Sequence, residues 1–141
     1  MVLLLTADLH AKPRWFRCLE SQAEKYELIG IAGDLLDLFS SVDPKTQSIA
    51  ATAFLRRLSS KTKVAVCSGN HDSIDYLANT RVAAPLWLSE LKGIKNLITD
   101  GKIDCLENSL VVTTLPYIDA IDPLRALLLE SSKIARENHV P

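Results

Sequence analysis

Asp8-Leu9-His10, Gly33-Asp34-Leu35-Leu36-Asp37 and Gly69-Asn70-His71-Asp72 each place carboxylate, amide or imidazole side chains just after an apolar run. These groups are oxygen and nitrogen donors, and brought together they would make one metal site. Such a mixed donor set suits first-row transition ions such as manganese, iron or zinc better than calcium, which takes oxygen ligands.

The elements that must position them are legible around the three strings. Val2-Leu3-Leu4-Leu5, Leu28-Ile29-Gly30-Ile31-Ala32 and Val64-Ala65-Val66-Cys67 are short, apolar and bounded by small or polar residues, as buried parallel strands are. Between the first two, Pro13 suits the first turn of a helix, and Trp15, Phe16, Leu19, Ala23 and Tyr26 recur at helical spacing. Between the second and third, Asp43-Pro44 reads as a cap followed by a first-turn proline, with Ile49, Ala53, Phe54 and Leu58 as the apolar face. Two successive β-α-β units follow from this pattern. Because their crossovers are nearly always right-handed, consecutive parallel strands send their C-terminal ends to one edge of the sheet, where α/β folds hold ligands. The three strings therefore meet in space although they are far apart in sequence.

With these residues in this order, the chain resembles the calcineurin-like metallophosphoesterase superfamily, whose opening motifs are D-x-H, G-D-x-x-D and G-N-H-[DE]. All three match in full and cover roughly the first half of the chain. Any one alone would carry an appreciable false-positive risk. The fold this implies is an α/β/β/α sandwich with mixed sheets.

The resemblance also implies roles. Asp8 and His10 would bind a first metal, Asp34 would bridge two metals, and Asn70 would bind the second through its amide oxygen. His71 would face the phosphate as general acid or transition-state stabiliser, with Asp72 orienting it. Asp37 would hydrogen-bond a ligand such as His10 and fix its tautomer. The cofactors would be two divalent transition-metal ions, manganese, iron, zinc or cobalt. The reaction would be hydrolysis of phosphate mono- or diesters, with a metal-activated hydroxide attacking phosphorus. Two cations answer the charge problem, because an anionic ester repels hydroxide.

Structural readings stand beside the functional ones. Gly33-Asp34 also fits a turn glycine and a helix cap, Asp72-Ser73 a cap for a helix beginning near Ile74, and Asn70 a left-handed turn residue. Other chemistries fail on spacing: where a cysteine phosphatase needs its arginine, Cys67 is followed by Ser73, Cys18 by Glu24 and Cys105 by Val111. There is no G-x-S-x-G elbow, Walker loop or G-x-G-x-x-G turn.

The 141 residues, 48% hydrophobic with net charge −1, predict one core-forming domain without a basic track for nucleic acid. Arg56-Arg57 and Lys61-Thr62-Lys63 read as a solvated helix end. Three cysteines, an odd number, with Cys18 and Cys67 in apolar patterns, suit reduced thiols in a cytoplasmic protein. The N-terminal apolar run is too short for an export signal or a membrane span.

In the second half, Pro85-Leu86-Trp87-Leu88 predicts a short helix buried in the core. Leu97-Ile98-Thr99 and Ile103-Asp104-Cys105-Leu106 predict strands around an Asp100-Gly101 turn. Leu110-Val111-Val112-Thr113-Thr114 predicts another, paired through a turn at Glu107-Asn108-Ser109. Asp122-Pro123 starts an amphipathic helix with Leu124, Leu127, Leu128 and Ile134 inward. The family continues with further histidines, including a Gly-His-x-His loop. Here His10, His71 and His139 are the histidines, and His139 falls in a terminal tail. The sequence therefore predicts one C-terminally incomplete metallophosphoesterase domain over residues 1–141, with partial metal occupancy and weak or absent activity. It also predicts an unpaired sheet edge through which two chains would pair. The alternative is a non-catalytic scaffold using this fold to bind a partner.

Overall fold

Four parallel strands, β1 (Leu3–Thr6), β2 (Leu28–Ala32), β3 (Lys63–Cys67) and β4 (Leu97–Ile98), lie side by side in chain order. The computed structural model describes residues 1–73, 85–106, 110–117, 121–138 and 140. The central strands are apolar at successive positions because both faces of the sheet are covered. Ile29, Ile31, Val64 and Val66 enter one core, whereas Leu28 and Ala65 enter another.

The first core lies under two helices. α1 (Pro13–Gln22) begins on Pro13 and runs into a single 3-10 turn, burying Phe16, Leu19 and Ala23. Trp15, expected on the apolar face, is 44% exposed. α2 (Pro44–Ser59) starts at Asp43, whose side chain accepts the Thr46 N–H at 3.0 Å, so the predicted cap is present. Its buried face is Gln47, Ala51, Phe54, Leu55 and Leu58. Ile49 is 64% exposed, because a stripe through Ala51, Phe54 and Leu58 places position 49 on the opposite side of a 3.6-residue helix. Phe16 of α1 and Phe54 of α2 stack with ring centroids 4.2 Å apart and hold the two helices together. The short α3 (Leu86–Ser89) adds Trp87 and Leu88 to this core, as its sequence predicted.

An antiparallel hairpin, β5 (Ile103–Leu106) and β6 (Leu110–Thr113), covers the other face. Side chains alternate along a strand, so Leu106, Leu110 and Val112 reach Leu28, Ala65 and Ile98 in the second core. The hairpin's opposite face carries α4 (Ile121–Glu137), joined through the Thr113 and Ser131 hydroxyls. Leu124, Leu127 and Ile134 are half-buried there, but Leu128 is 54% exposed, so the stripe is narrower than expected. The Asp100-Gly101 turn carries the chain from the parallel sheet to the antiparallel one, and Gly101 takes φ 73° to do so. Lys63 of the first sheet pairs with Asp104 of the second at 3.3 Å.

The layers are helices, parallel sheet, antiparallel sheet and helix, the α/β/β/α order expected from the motifs. β1 forms an edge of the parallel sheet and leaves Leu5 77% exposed. No helix among the described residues is long and apolar enough to cross a membrane. The expected turn at Glu107-Asn108-Ser109, the helix expected near Ile74 and His139 lie outside the described residues.

Candidate metal centre

Parallel pairing of β1, β2 and β3 puts the residues that follow them at one edge of the sheet. The loops are laced together by backbone bonds: Asp8 N–H to the Gly33 carbonyl at 3.2 Å, His10 N–H to that of Asp34 at 2.9 Å, and Ala11 N–H to that of Leu35 at 2.6 Å. The third loop joins through Asp34, whose Oδ1 accepts the His71 backbone N–H at 3.0 Å.

This convergence bends the backbone into the left-handed region at Asp8 (φ 55°), His10 (46°), Ala11 (49°) and Asp34 (53°). Each such residue costs about 1–2 kcal/mol relative to the right-handed form. Strain of this kind persists where surrounding bonds over-determine it, and it concentrates at functional sites. Here the over-determination is the lacing between loops. Gly33 (φ 82°) meets Gly69 at the crossing, where a β-carbon on Gly33 would fall 2.8 Å from the Gly69 Cα.

Ligand atoms of Asp8, His10 and Asp34 lie within 4.8 Å of one another. Those of His10, Asp37 and His71 do the same, so two groups share His10. The two imidazoles stand edge to face at a centroid distance of 5.0 Å, and Phe39 closes on His71 at 5.3 Å.

Their backbone partners separate their roles. His10 Nδ1 faces the Leu36 carbonyl at 3.2 Å, so it must donate, leaving Nε2 as a bare lone pair. His71 Nδ1 accepts the Leu38 N–H at 3.3 Å, so its proton is on Nε2. One ring is prepared to bind a cation and the other to donate a hydrogen bond. Two carboxylates with an imidazole whose far nitrogen is tied to a carbonyl form a donor set that fits a divalent transition ion.

The expected partner of His10 was Asp37. Its place is taken by the Leu36 carbonyl, while Asp37 accepts from Lys12 at 3.4 Å and from the Phe39 N–H at 3.0 Å. Partial loss of solvent pushes the Asp37 carboxyl up, but the Phe39 N–H and the Lys12 ammonium outweigh it and hold it below the usual carboxylate value. Asp72 was expected to orient His71, and it acts on the backbone rather than on the ring. Its two oxygens accept the Leu36 N–H at 2.9 Å and the Gly69 N–H at 2.8 Å, tying the second loop to the third. Burial pushes this carboxyl up to about 6, with a further push from the charge of Asp34, against the pull of those N–H bonds. Asn70 opens the 3-10 turn Asn70–Asp72 and is exposed to solvent at the same edge.

Two supports were missed in the sequence. Trp87 donates its indole N–H to the Asp72 carbonyl at 2.9 Å. Gln47 bonds both backbone groups of Asp37. The signal for Gln47 was its place on the buried stripe of α2, where a polar residue needs a partner.

The chain belongs to the calcineurin-like phosphoesterase family, whose model matches residues 1–139 of the 141. That membership supports a phosphoesterase-type function in general, and the family generally binds divalent metals. Comparison with curated proteins gives no match.

Proposed function

We propose that this chain is a metal-dependent phosphoesterase for phosphate mono- or diesters. Asp8, His10 and Asp34 hold one divalent transition ion, and Asp34 and Asn70 contribute to a second. The observation that carries this reading is the 5.0 Å pairing of two rings with opposite free edges, one of them grouped with the Asp8 and Asp34 carboxylates. When bound, the ions supply positive charge for the phosphoryl oxygens and make water a usable nucleophile near neutral pH.

The rest is done by side chains. His71 offers its Nε2–H to a phosphoryl or leaving-group oxygen as negative charge builds there, a donor already in place before reaction. The general-acid role inferred from the motif asks more of this ring. With Leu38 N–H on Nδ1 the imidazole is neutral, and passing a proton to a leaving oxygen requires a second proton on Nδ1 and loss of that contact. We therefore assign His71 to hydrogen-bond stabilisation and Asp72 to bracing the turn that carries it.

A scaffold reading rests on a different observation. Among the described residues the two groups of ligand atoms, Asp8-His10-Asp34 and His10-Asp37-His71, share His10, so they do not make two independent three-ligand sites. Hydrolysis of bis(p-nitrophenyl) phosphate with added Mn²⁺ decides between the readings, with chelated protein and Asp34→Asn as controls. Turnover lost in both controls supports the phosphoesterase reading. Turnover unchanged in Asp34→Asn overturns the assigned centre, and Mn²⁺ binding without turnover favours the scaffold.

A further inference from the structure

Gln47 is a buried amide, 2% exposed, on the first turns of α2, and its bonds go to the loop rather than to its own helix. Its Oε1 accepts the Asp37 N–H at 2.7 Å, and its Nε2 donates to the Asp37 carbonyl at 2.9 Å and the Val42 carbonyl at 2.6 Å. A peptide group is planar, and none among the described residues is cis, so the N–H and C=O of one peptide unit point to opposite sides. The Asp37 N–H shares its unit with the Leu36 carbonyl, which holds His10 Nδ1. The Asp37 carbonyl shares its unit with the Leu38 N–H, which holds His71 Nδ1. One side-chain amide thus grips two consecutive peptide units by their near ends, and the far ends hold the two imidazoles.

We propose that Gln47 is a positioning residue that sets the opposite tautomers of His10 and His71 through the two peptide units flanking Asp37. An amide suits the task because it is both acceptor and donor, and the two units present opposite polarity to it. The two units are not held equally. The Asp37 carbonyl also receives the Ser40 N–H at 3.1 Å, so the unit facing His71 keeps a tether without Gln47. The unit facing His10 relies on Gln47 Oε1 for its N–H, so His10 is the more sensitive ring. The consequence for catalysis rests on the phosphoesterase reading, whereas the tautomers themselves do not.

The test is ¹⁵N NMR of the histidine ring nitrogens in the full, chelated chain, recorded over a pH series so that the tautomers are read from the neutral-ring limit of the spectra. It reads tautomers whether or not the chain turns over an ester, so failure of this proposal and failure of the phosphoesterase reading are distinguishable. Wild type is expected to show Nδ1–H at His10 and Nε2–H at His71. Gln47→Met keeps the length of the side chain and removes both polar ends. It is expected to shift the His10 ratio roughly two- to tenfold away from Nδ1–H, the effect of losing about one hydrogen bond. Ala51→Gly loosens α2 without removing the amide and is expected to leave His10 in its wild-type form. An unchanged His10 in Gln47→Met overturns the proposal. An equal change at His10 in both variants overturns it too, since that reports general loosening of α2. If Gln47→Met does not fold, the wild-type spectrum decides, and Nδ1–H on His71 or Nε2–H on His10 overturns the assignment.

Discussion

Gly69 presses its bare Cα against the Asp34 carboxylate: a β-carbon there would fall 2.1 Å from Asp34 Oδ1 and 2.5 Å from the Asp34 backbone nitrogen. The second and third loops can cross at this point because Gly69 sets no side chain against the Asp34 carboxylate and Gly33 sets none against Gly69. The closeness also lets Asp34 Oδ1 receive the His71 N–H, so one contact sets both a candidate ligand and the neighbouring ring.

Gly69→Ala must push the two loops apart. We expect a loss of about 1–3 kcal/mol, the usual cost of overpacking, measured by urea unfolding, together with weakened Mn²⁺ binding. Gly93→Ala is the control, because nothing lies within 4 Å of its added β-carbon. That variant carries strain from φ 91° alone and should leave Mn²⁺ affinity unchanged.

Mn²⁺ should stabilise the wild-type chain, since an ion that binds the folded form alone adds about 2.7 kcal/mol at a hundredfold excess over its dissociation constant. The corresponding rise in Tm should vanish with chelator and in Asp34→Asn. Calorimetric affinity in that variant should fall by more than the roughly 10–100-fold typical of removing a ligand's hydrogen-bond partner. A Tm rise of equal size in Asp34→Asn would place the ion elsewhere.

Asp100 supplies a pH-dependent contribution to stability. Its Oδ1 accepts the Ser68 N–H at 2.8 Å, its Oδ2 is buried without a partner among the described residues, and burial raises its carboxyl above the ordinary value. A carboxyl whose folded value exceeds its unfolded one binds protons more tightly in the fold. Its stabilising contribution is therefore present below the unfolded value of 3.8 and is lost as pH rises through the raised folded value. Asp100→Asn keeps the acceptor for Ser68 and removes the charge. Urea unfolding at several pH values should show this variant gaining on wild type as pH increases from about 4 to 7, and a constant difference would refute the assignment.

Trp87→Phe should keep the ring in the first core and remove the indole N–H that reaches the Asp72 carbonyl. We expect a cost of about 1–3 kcal/mol for a buried carbonyl left without its donor. Urea unfolding measures it, and a change within 0.5 kcal/mol, the usual effect of a neutral surface substitution, would mean that water replaces the indole.

The strands, their order and the edge that collects the three strings were legible in the sequence, because apolar runs report burial and β-α-β connectivity constrains direction. β2 matches its expected span, and the Asp43 cap is where the Asp-Pro signal put it. Faces were less legible. Trp15, Ile49 and Leu128 are apolar and near helical spacing, yet each lies toward solvent, because spacing alone leaves the phase of a stripe uncertain by about one residue.

The sequence by itself determined the kinds of donor available and that Asp8, His10, Asp34, Asn70 and His71 would share one sheet edge. Those follow from residue chemistry and strand direction. The tertiary structure decided what each donor does. Nothing local to His10 or His71 distinguishes their rings. The difference comes from a carbonyl at Leu36 and an N–H at Leu38, more than 25 residues from either partner. Asp37 and Asp72 likewise take partners set by where the loops cross, and Gln47 acquires its place because α2 packs behind that crossing. Hydrogen-bond polarity at the centre is a property of backbone groups, which every residue carries and no side-chain pattern records.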